Sequence, residues 1–241
     1  MIDLSLMLDK RKSYRTFNQK KKLEIQELQS LITIFLSNFE NPTLDGSIPS
    51  LEIVEANKTS CPRGDLCICA YGSKDNKGLI SIGYFLEHLD LYLEYNGIGV
   101  CWYGFGRTKI KVKDNQEFII MLNVGYQKDN SLRKSSIEFK RNDISAFWFG
   151  DFDLKVKEDV RLAPSACNSQ QWKIEVENNT LIIKRGDGNK SILIGKYKKY
   201  FNMIDMGIFL CFLELSLKGN GYNFKRNIIA DDSIIARYDI V

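Results

Sequence analysis

Two long apolar segments constrain the fold of this chain more than any other feature of its sequence. Gly83–Gly97 and Met206–Gly219 each predict an apolar helix that ends at a glycine and is followed by an aromatic residue. Their likeness indicates an internal duplication of the chain, although the convergence of two amphipathic helices explains it equally well.

Shorter elements alternate with these two helices. We expect helices over 22–39, Ile80–Tyr95, Lys155–Leu162 and Ile204–Lys218, and strands over Leu51–Glu55, Leu66–Tyr71, Phe118–Gly125, Trp172–Val176, Thr180–Lys184 and Ser233–Val241. Asn41-Pro42 should end the first helix, Asn96-Gly97 should cap the second, and Asn178-Asn179 should form a turn between two strands. Helices that alternate with short strands indicate a mixed α/β (α+β) layer domain.

The composition is that of a soluble globular protein. The 241 residues are 44% hydrophobic and 27% charged, with a net charge of +4. Such a small charge gives no reason to expect a nucleic-acid-binding surface. The first residues lack the apolar core of a signal peptide, and the longest apolar stretch, Met203–Leu217, carries two acids and is too short to span a bilayer. We therefore expect a cytoplasmic protein without a membrane or nucleic-acid partner.

Three cysteines lie close together in the sequence, at Cys61, Cys67 and Cys69. A C-x-C pair without a second pair is poor zinc chemistry in a chain whose one histidine is His88. The run around Cys67 and Cys69 is better explained as a buried strand, and His88 as a structural residue within a helix. No metal site is expected.

A basic run near the N-terminus could bind a phosphate. Arg11, Ser13 and Arg15 alternate, so in an extended segment their side chains share one side. Two guanidiniums and a hydroxyl suit a phosphate, which arginine binds with two parallel hydrogen bonds. The alternative is a solvated basic N-terminus, because Lys20–Lys22 follow closely.

The run Ala163–Trp172 could form a polar loop beside a ligand. Pro164-Ser165 can end a helix and start a turn. Ser165 and Asn168 then offer short hydrogen-bonding groups near exposed backbone. The alternative is an ordinary loop that terminates a helix.

Four runs together resemble signatures of the FMN-dependent nitroreductase family. They are R-K-S-Y-R-T-F at 11–17, G-I-G-V-C-W-Y-G at 97–104, I-M-L-N-V-G-Y at 120–126 and A-P-S-A-C-N-S-Q-Q-W at 163–172. The family writes R-x-S-x-R-x-F, G-L-G-x-x-W-x-G, a strand ending in G-Y/F-P, and A-P-S-x-x-N-x-Q-P-W. Gln127 and Gln171 stand where the family has proline, so the start of the strand after the last run should be looser.

The order of these runs is unusual for that family. Ordinary members are homodimers in which each FMN lies at the interface, with the R-x-S-x-R run from one subunit and the P-S-x-x-N run from the other. Here about 150 residues of one chain separate the two runs. The resemblance implies a fused pseudo-dimer, similar to the Thermotoga-type branch of the family, with an antiparallel-rich sheet flanked by long helices in two pseudo-repeated halves. The phosphate-binding half would cover 1–145 and the P-S-x-x-N half 146–241, so that one chain holds one FMN as a monomer or a weak homodimer.

The resemblance also implies a set of cofactor-binding residues. Arg11, Lys12, Ser13 and Arg15 would hold the FMN phosphate and ribityl chain. Either Arg133 and Lys134 or Lys140 and Arg141 would add charge at the phosphate. Pro164, Ser165, Ala166 and Asn168 would lie along the flavin ring and ribityl chain, and backbone N–H groups near Tyr103, Gly104 and Phe105 would point at the N5/O4 edge.

The implied activity is that of a flavin oxidoreductase. NADH or NADPH would give a hydride to flavin N5, and a small-molecule acceptor such as a nitroaromatic or a quinone would then take the electrons in a ping-pong mechanism. The flavin carries the chemistry, so no protein residue is nominated as catalytic. One alternative is a flavin-handling or regulatory protein of the same fold without efficient NAD(P)H oxidation. The other is a non-flavin α/β domain whose motifs match by chance.

Overall fold

The computed structural model of the chain describes residues 2–38, 43–44, 48–61, 63–128, 132–190 and 192–241. Its four α-helices within these residues are α1 (Ile25–Asn38), α2 (Asn76–Tyr95), α3 (Leu154–Arg161) and α4 (Gly195–Gly219). Its strands are β1 (Ser50–Glu55), β2 (Leu66–Gly72), β3 (Ile98–Tyr103), β4 (Val112–Lys113), β5 (Gln116–Tyr126), β6 (Trp148–Phe149), β7 (Trp172–Glu177), β8 (Thr180–Arg185), β9 (Phe224–Ile228) and β10 (Ile234–Ile240).

The strands form two sheets that repeat one topology. The first sheet has the order β1-β2-β5-β3, with β4 paired to β5, and the second has the order β6-β7-β8-β10-β9. Every pairing is antiparallel except that of β6 with β7. The series α1-β1-β2-α2-β3-β5 thus matches α3-β7-β8-α4-β9-β10, both along the chain and across the sheet. The predicted α+β fold with two repeated halves is confirmed, and the boundary at residue 145 stays a prediction.

Helices α2 and α4 cross in the middle of the molecule, where a glycine on each permits close approach. A Cβ atom at Gly83 would lie 2.0 Å from the Ile204 carbonyl oxygen, and one at Gly207 would lie 1.9 Å from the Ile80 carbonyl oxygen. Both distances are far below ordinary contact, so the backbones touch where side chains would normally keep them apart. This crossing joins the two halves into one core.

The predicted elements are present, but several begin earlier than their apolar pattern. Helix α2 starts at Asn76 because the Asp75 carboxylate accepts the Gly78 N–H at 2.7 Å and caps the helix. Helix α4 starts at Gly195, nine residues before the predicted Ile204. The sequence did not indicate this start because the first two turns are mostly exposed and lack an apolar period. Gly97, with a φ of 79°, follows the end of α2 as expected. Asn41-Pro42, the predicted end of α1, lies outside the described residues.

Helix α4 is longer than the apolar stretch Met203–Leu217, which the sequence indicated to be too short to span a bilayer. Within the part of the chain that the structure describes, it alone is long and apolar enough to cross a membrane by length and composition, and 89% of that apolar window is buried inside the fold. A helix that is apolar on all sides is buried on all sides. It is therefore the central core helix, packed on α2 along one face.

Candidate functional site

A cavity of about 270 Å³ brings together all four runs singled out in the sequence, the run at 120–126 through Ile120 alone. Its lining includes Arg11, Ser13 and Arg15 from the N-terminal segment, Tyr103, Gly104 and Phe105 from the end of β3, and Pro164, Ser165 and Ala166 from the loop before β7. Residues of α4 form the remaining wall. Another cavity, of about 260 Å³ at the N-terminal end of α2, contains none of the predicted site residues. Tertiary structure thus joins segments that lie about 150 residues apart.

Arg11 is buried rather than displayed at the cavity surface. Only 2% of it is exposed, and its Nη2 and Nε donate to Asp90 Oδ2 at 2.7 and 3.1 Å. Its Nε also lies 3.4 Å from Glu87 Oε1, and its Nη1 donates to Ser13 Oγ at 3.4 Å. Much of its charge is therefore neutralised by helix α2, which favours a structural as well as a ligand-binding role.

Two other arginines are more open to a ligand. Arg15 is exposed at the cavity, as is Arg63, which precedes β2 and was not predicted from the sequence. Neither forms an ion pair with an acid among the described residues. Burial raises the pKa of the Cys101 thiol, whereas Arg15, Arg11 and Arg63 all oppose that shift. Arg15 and Arg63, which have no acidic partner among the described residues, therefore make this end of the cavity positive.

Three buried acids of α2 hold the N-terminal segment in place. Asp90 accepts from Trp102 Nε1 at 2.9 Å as well as from Arg11, and Glu94 accepts the backbone N–H of Lys12 at 3.1 Å. Burial raises the pKa of Glu87 to about 8. Acids at 87, 90 and 94 lie on one face of a helix, and that spacing within an apolar segment is the sequence signal that could have revealed them.

The additional basic residues brace the backbone instead of lining the cavity. Arg133 donates to the Arg11 carbonyl oxygen, and its guanidinium carbon lies 3.9 Å from the centroid of the Phe139 ring. Arg141 donates to the carbonyl oxygens of Ala163 and Leu162 at 3.0 and 3.1 Å. Burial, together with neighbouring arginines, lowers the pKa of Arg141 to about 10. Among the alternatives left open by the sequence, none of Arg133, Lys134, Lys140 or Arg141 reaches the cavity lining.

Asn168 is turned away from the cavity. Its Oδ1 accepts from Arg141 Nη1 at 2.9 Å, and its Nδ2 donates to the Lys140 carbonyl oxygen at 3.0 Å. Its φ of 55° and the φ of 52° at Cys167 are left-handed values, which asparagine tolerates better than most residues. The structure therefore assigns Asn168 contacts that shape the loop, and its predicted place along a flavin ring stays a prediction.

Gln171 does not loosen the start of the next strand, contrary to the expectation. It is fully buried, its Oε1 accepts from Ser169 Oγ at 2.6 Å, and its Nε2 donates to the Asn202 carbonyl oxygen at 3.1 Å. The same Nε2 lies 3.2 Å from Asp205 Oδ2, and β7 begins at the next residue. An amide side chain supplies by hydrogen bonds the rigidity that a proline ring would supply covalently.

Gly104 and the aromatic residues beside it form the apolar wall of the cavity. A Cβ atom at Gly104 would lie 2.8 Å from Cε1 of Phe201, so the ring packs directly on the glycine backbone. The Phe105 ring meets the Phe201 ring edge-on at 5.2 Å and is 56% exposed. This wall suits a flat apolar ligand, while the opposite end suits an anion.

The residue that corresponds to Asp90 in the other half pairs with a different arginine. Asp90 and Glu214 each lie seven residues after the crossing glycine of their helix. Glu214 accepts from Arg226 Nη1 at 2.9 Å, and Arg226 Nη2 donates to the carbonyl oxygens of Thr43 and Leu44 at 2.9 and 3.2 Å. Arg226 belongs to β9, which holds the place of β3 in the second sheet. A half-buried arginine therefore pairs with Glu214, the residue that corresponds to Asp90 in the other half.

The residues considered for a metal have other roles. Burial raises the pKa of Cys67 to about 11 and that of Cys69 to about 12, so both remain thiols. Burial lowers the pKa of His88 to about 4, and its Nδ1 lies 2.9 Å from the Tyr84 carbonyl oxygen. Within the described ranges, no group of three or more potential ligand side chains is placed to hold a metal ion.

Comparisons with known proteins identify similar sequences and folds. A family model described as "Putative TM nitroreductase" matches residues 3–217. The crystal structure of a "putative nitroreductase" from Thermotoga maritima MSB8 has 19% identity and a TM-score of 0.69, covering 99% of this chain and 94% of that chain. A "nitroreductase family protein" from Clostridium difficile 630 has 19% identity and a TM-score of 0.45, covering 61% of this chain and 96% of that one. A "putative NADH oxidase" from Clostridium acetobutylicum has 17% identity and a TM-score of 0.43, covering 61% and 99%. No curated protein matches this sequence.

Proposed function

This chain belongs to the "Putative TM nitroreductase" family, and from that premise we propose that it is an FMN-dependent oxidoreductase that uses NADH or NADPH. The observation that carries the proposal is the cavity in which the R-x-S-x-R, W-Y-G and P-S-A segments meet. Chance similarity of separate motifs would give no reason for them to line one cavity.

The donors at the cavity fit the two chemically different ends of FMN. Arg15, Arg63 and the Ser13 hydroxyl would hold the phosphate, because exposed guanidiniums and a hydroxyl are its usual partners. Phe201, Ile204 and Ile208 would face the ring together with Pro164–Ala166. Arg11 and Lys12 would act mainly by holding that segment against α2. When bound, the flavin would supply hydride transfer, which no side chain of this cavity can supply.

We propose that each chain holds one FMN. Arg226 supports this stoichiometry, because its guanidinium is bonded to Glu214 and to the carbonyl oxygens of Thr43 and Leu44. Both sides of the open cavity come from one chain, so a monomer would suffice, with a weak homodimer as the other possibility. The proposed division into 1–145 and 146–241 rests on the repeated sheets. The expected cytoplasmic location and the identity of the small-molecule acceptor stay predictions.

Spectroscopy of the purified protein tests this proposal. We expect a yellow protein, or one that turns yellow on reconstitution, that releases FMN on denaturation at one FMN per chain. Anaerobic NADH or NADPH should bleach the flavin within seconds. Steady-state kinetics with a quinone should give parallel double-reciprocal lines, because reductant and acceptor use the same ring in turn.

Each other outcome separates the proposal from its rivals. Chromatography that detects FAD, or a protein that takes up no flavin, refutes FMN dependence. Bound FMN that stays oxidised with both nicotinamides favours the flavin-handling or regulatory alternative. A ratio of one FMN per two chains contradicts the fused site.

A further inference from the structure

Asp205 places a carboxyl group in the wall of the cavity. It lies on α4, is 3% exposed, and is the one acid among the described residues that line the cavity. Both carboxyl oxygens accept from the Ala166 N–H, at 2.9 and 3.0 Å. Oδ2 also accepts from Gln171 Nε2 at 3.2 Å, whereas Ala166 is the one donor to Oδ1 among the described residues. Oδ1 therefore has the capacity to carry a proton while Oδ2 keeps the loop in place.

The other polar side chains of the cavity are poor sources of a proton. Arg11, Arg15 and Arg63 carry guanidiniums, which bind anions and do not serve as proton donors in acid catalysis. Burial raises the pKa of the thiols of Cys101 and Cys167. The Tyr103 hydroxyl is directed to the Ser60 carbonyl oxygen, at 3.4 Å. Asp205 is the remaining candidate.

The surroundings of Asp205 raise the pKa of its carboxyl group into the range in which the group can exchange a proton near neutral pH. Burial raises its pKa to about 7, and the hydrogen bonds from Ala166 and Gln171 oppose that shift. On the loop packed against it, the titratable group is the Cys167 thiol, whose pKa Asp205 helps to raise. Across the cavity the charged groups are the three arginines. A carboxyl group kept near neutrality by an apolar helix is suited to acid catalysis.

We propose that Asp205 is the acid that protonates the acceptor reduced in this cavity, whenever that acceptor, such as a quinone, needs a proton as well as a hydride. The inference rests on the proposed function. Reduction of a quinone to a hydroquinone takes up two electrons and two protons, and a bound FMN would supply both electrons and one of these protons as a hydride. The second oxygen of the quinone takes the other proton from Asp205, so one O–H bond breaks as the hydroquinone O–H bond forms. The carboxylate then regains a proton from water.

The decisive experiment compares an acceptor that needs protons with one that does not. Asp205→Asn keeps the size of the side chain and an oxygen for the Ala166 N–H. The FMN-loaded protein is photoreduced, so that no nicotinamide reaction is required, and then mixed with a benzoquinone or with ferricyanide in a stopped-flow instrument. We expect reoxidation by the quinone to slow by roughly 100-fold or more, the scale of general acid catalysis, with less than about a twofold change for ferricyanide. Asp205→Glu should recover most of the quinone rate.

Asp159→Asn is the matched control. Asp159 is also a buried aspartate, but its Oδ2 accepts from Ser216 Oγ at 2.9 Å and it does not line the cavity. Both acceptors should react normally with this variant. Equal slowing of both acceptors in Asp205→Asn would show that the residue only positions the loop, and normal reaction with both would also overturn the proposal.

A titration that needs neither flavin nor turnover provides a second test. In the flavin-free protein labelled with ¹³C-aspartate, one carboxyl resonance should titrate near pH 7 and be absent from Asp205→Asn. No such resonance would refute the role of Asp205. A protein that shows this titration but binds no FMN would instead refute the proposed function, so the two failures are distinguishable.

Discussion

The crossing of α2 and α4 makes Gly207→Ala the most informative test of the architecture. The new Cβ atom would lie 1.9 Å from the Ile80 carbonyl oxygen and 2.7 Å from the Tyr84 nitrogen. Real Cβ atoms essentially never approach closer than 3.0 Å, so the helices must separate by about 1 Å at this point. Both obstructing atoms belong to the backbone of α2, and no rotamer change can remove them.

Two opposing effects decide how much Gly207→Ala changes the free energy of unfolding. Alanine favours a helix over glycine by about 1 kcal/mol, which stabilises the variant. Overpacking a closely fitted core costs about 1–3 kcal/mol, and occasionally more when backbone has to move. Because the new Cβ atom clashes with backbone atoms, we expect the higher end of this overpacking cost to apply. The free energy of unfolding should then fall by about 2 kcal/mol net. For a chain of this size the melting temperature should fall by roughly 4–8 °C.

The same displacement should weaken FMN binding. Ile204, Asp205 and Ile208 reach the cavity from the α4 turn that contains Gly207, whereas Arg11 is held by α2. Separating the helices alters the distance between the two walls, and we expect the Kd for FMN to rise about tenfold, or 1.4 kcal/mol.

Urea denaturation and FMN titration provide the measurements. Gly83→Ala should behave like Gly207→Ala, because its Cβ atom would lie 2.0 Å from the Ile204 carbonyl oxygen. Gly186→Ala is the control, since its Cβ atom would meet only the flexible side chain of Lys173. A Gly207→Ala protein that is as stable as the unaltered chain would refute the close crossing.

Four further variants test the site. Arg15→Ala should weaken FMN binding by about 1.5–3 kcal/mol, the scale of hydrogen bonds to a charged group, with Lys21→Ala as the unaffected control. If the FMN titration curves of Arg15→Ala and of the unaltered chain are equal, Arg15 is not part of the site. Arg11→Ala should instead lower the free energy of unfolding by about 3–5 kcal/mol, because it leaves buried carboxylates unpaired, and a fully stable variant would contradict that buried pairing. Burial raises the pKa of Glu87 to about 8, so the folded chain keeps a proton that the unfolded chain has lost. The free energy of unfolding should therefore fall as the pH rises from about 5 to 8, and Glu87→Gln should flatten this dependence on pH. If urea denaturation at several pH values gives the same dependence for Glu87→Gln as for the unaltered chain, Glu87 is not its source. Gln171→Pro, which restores the family residue, should lower the free energy of unfolding by about 1–3 kcal/mol through lost buried hydrogen bonds, and a gain in stability would show that those bonds contribute little.

The fold was largely predictable because its signals are local. The apolar periods of α1, α2 and α4, the Asn178-Asn179 turn and the strands on either side of it depend on neighbours a few residues away. Strand β3 was not predicted as a strand although it is largely buried, and two other failures lie where the local signal is weak. Strand β9 alternates between half-buried and exposed residues at a sheet edge, and the first turns of α4 are mostly exposed. Neither has an apolar pattern strong enough to mark its limits.

The sequence by itself determined the kinds of groups available for the site and the motifs that contain them. Only the tertiary structure decided their roles, because burial and charge pairing depend on residues far apart in the chain. Arg11 and Arg15 look equivalent in the sequence, yet α2 places Asp90 against the first and leaves the second exposed. Asp205 looks like an interruption of an apolar helix, yet the loop before β7 places the Ala166 N–H on it and a cavity beside it. A side chain's hydrogen-bonding capacity follows from its identity, but its partners and its pKa follow from what the fold packs around it.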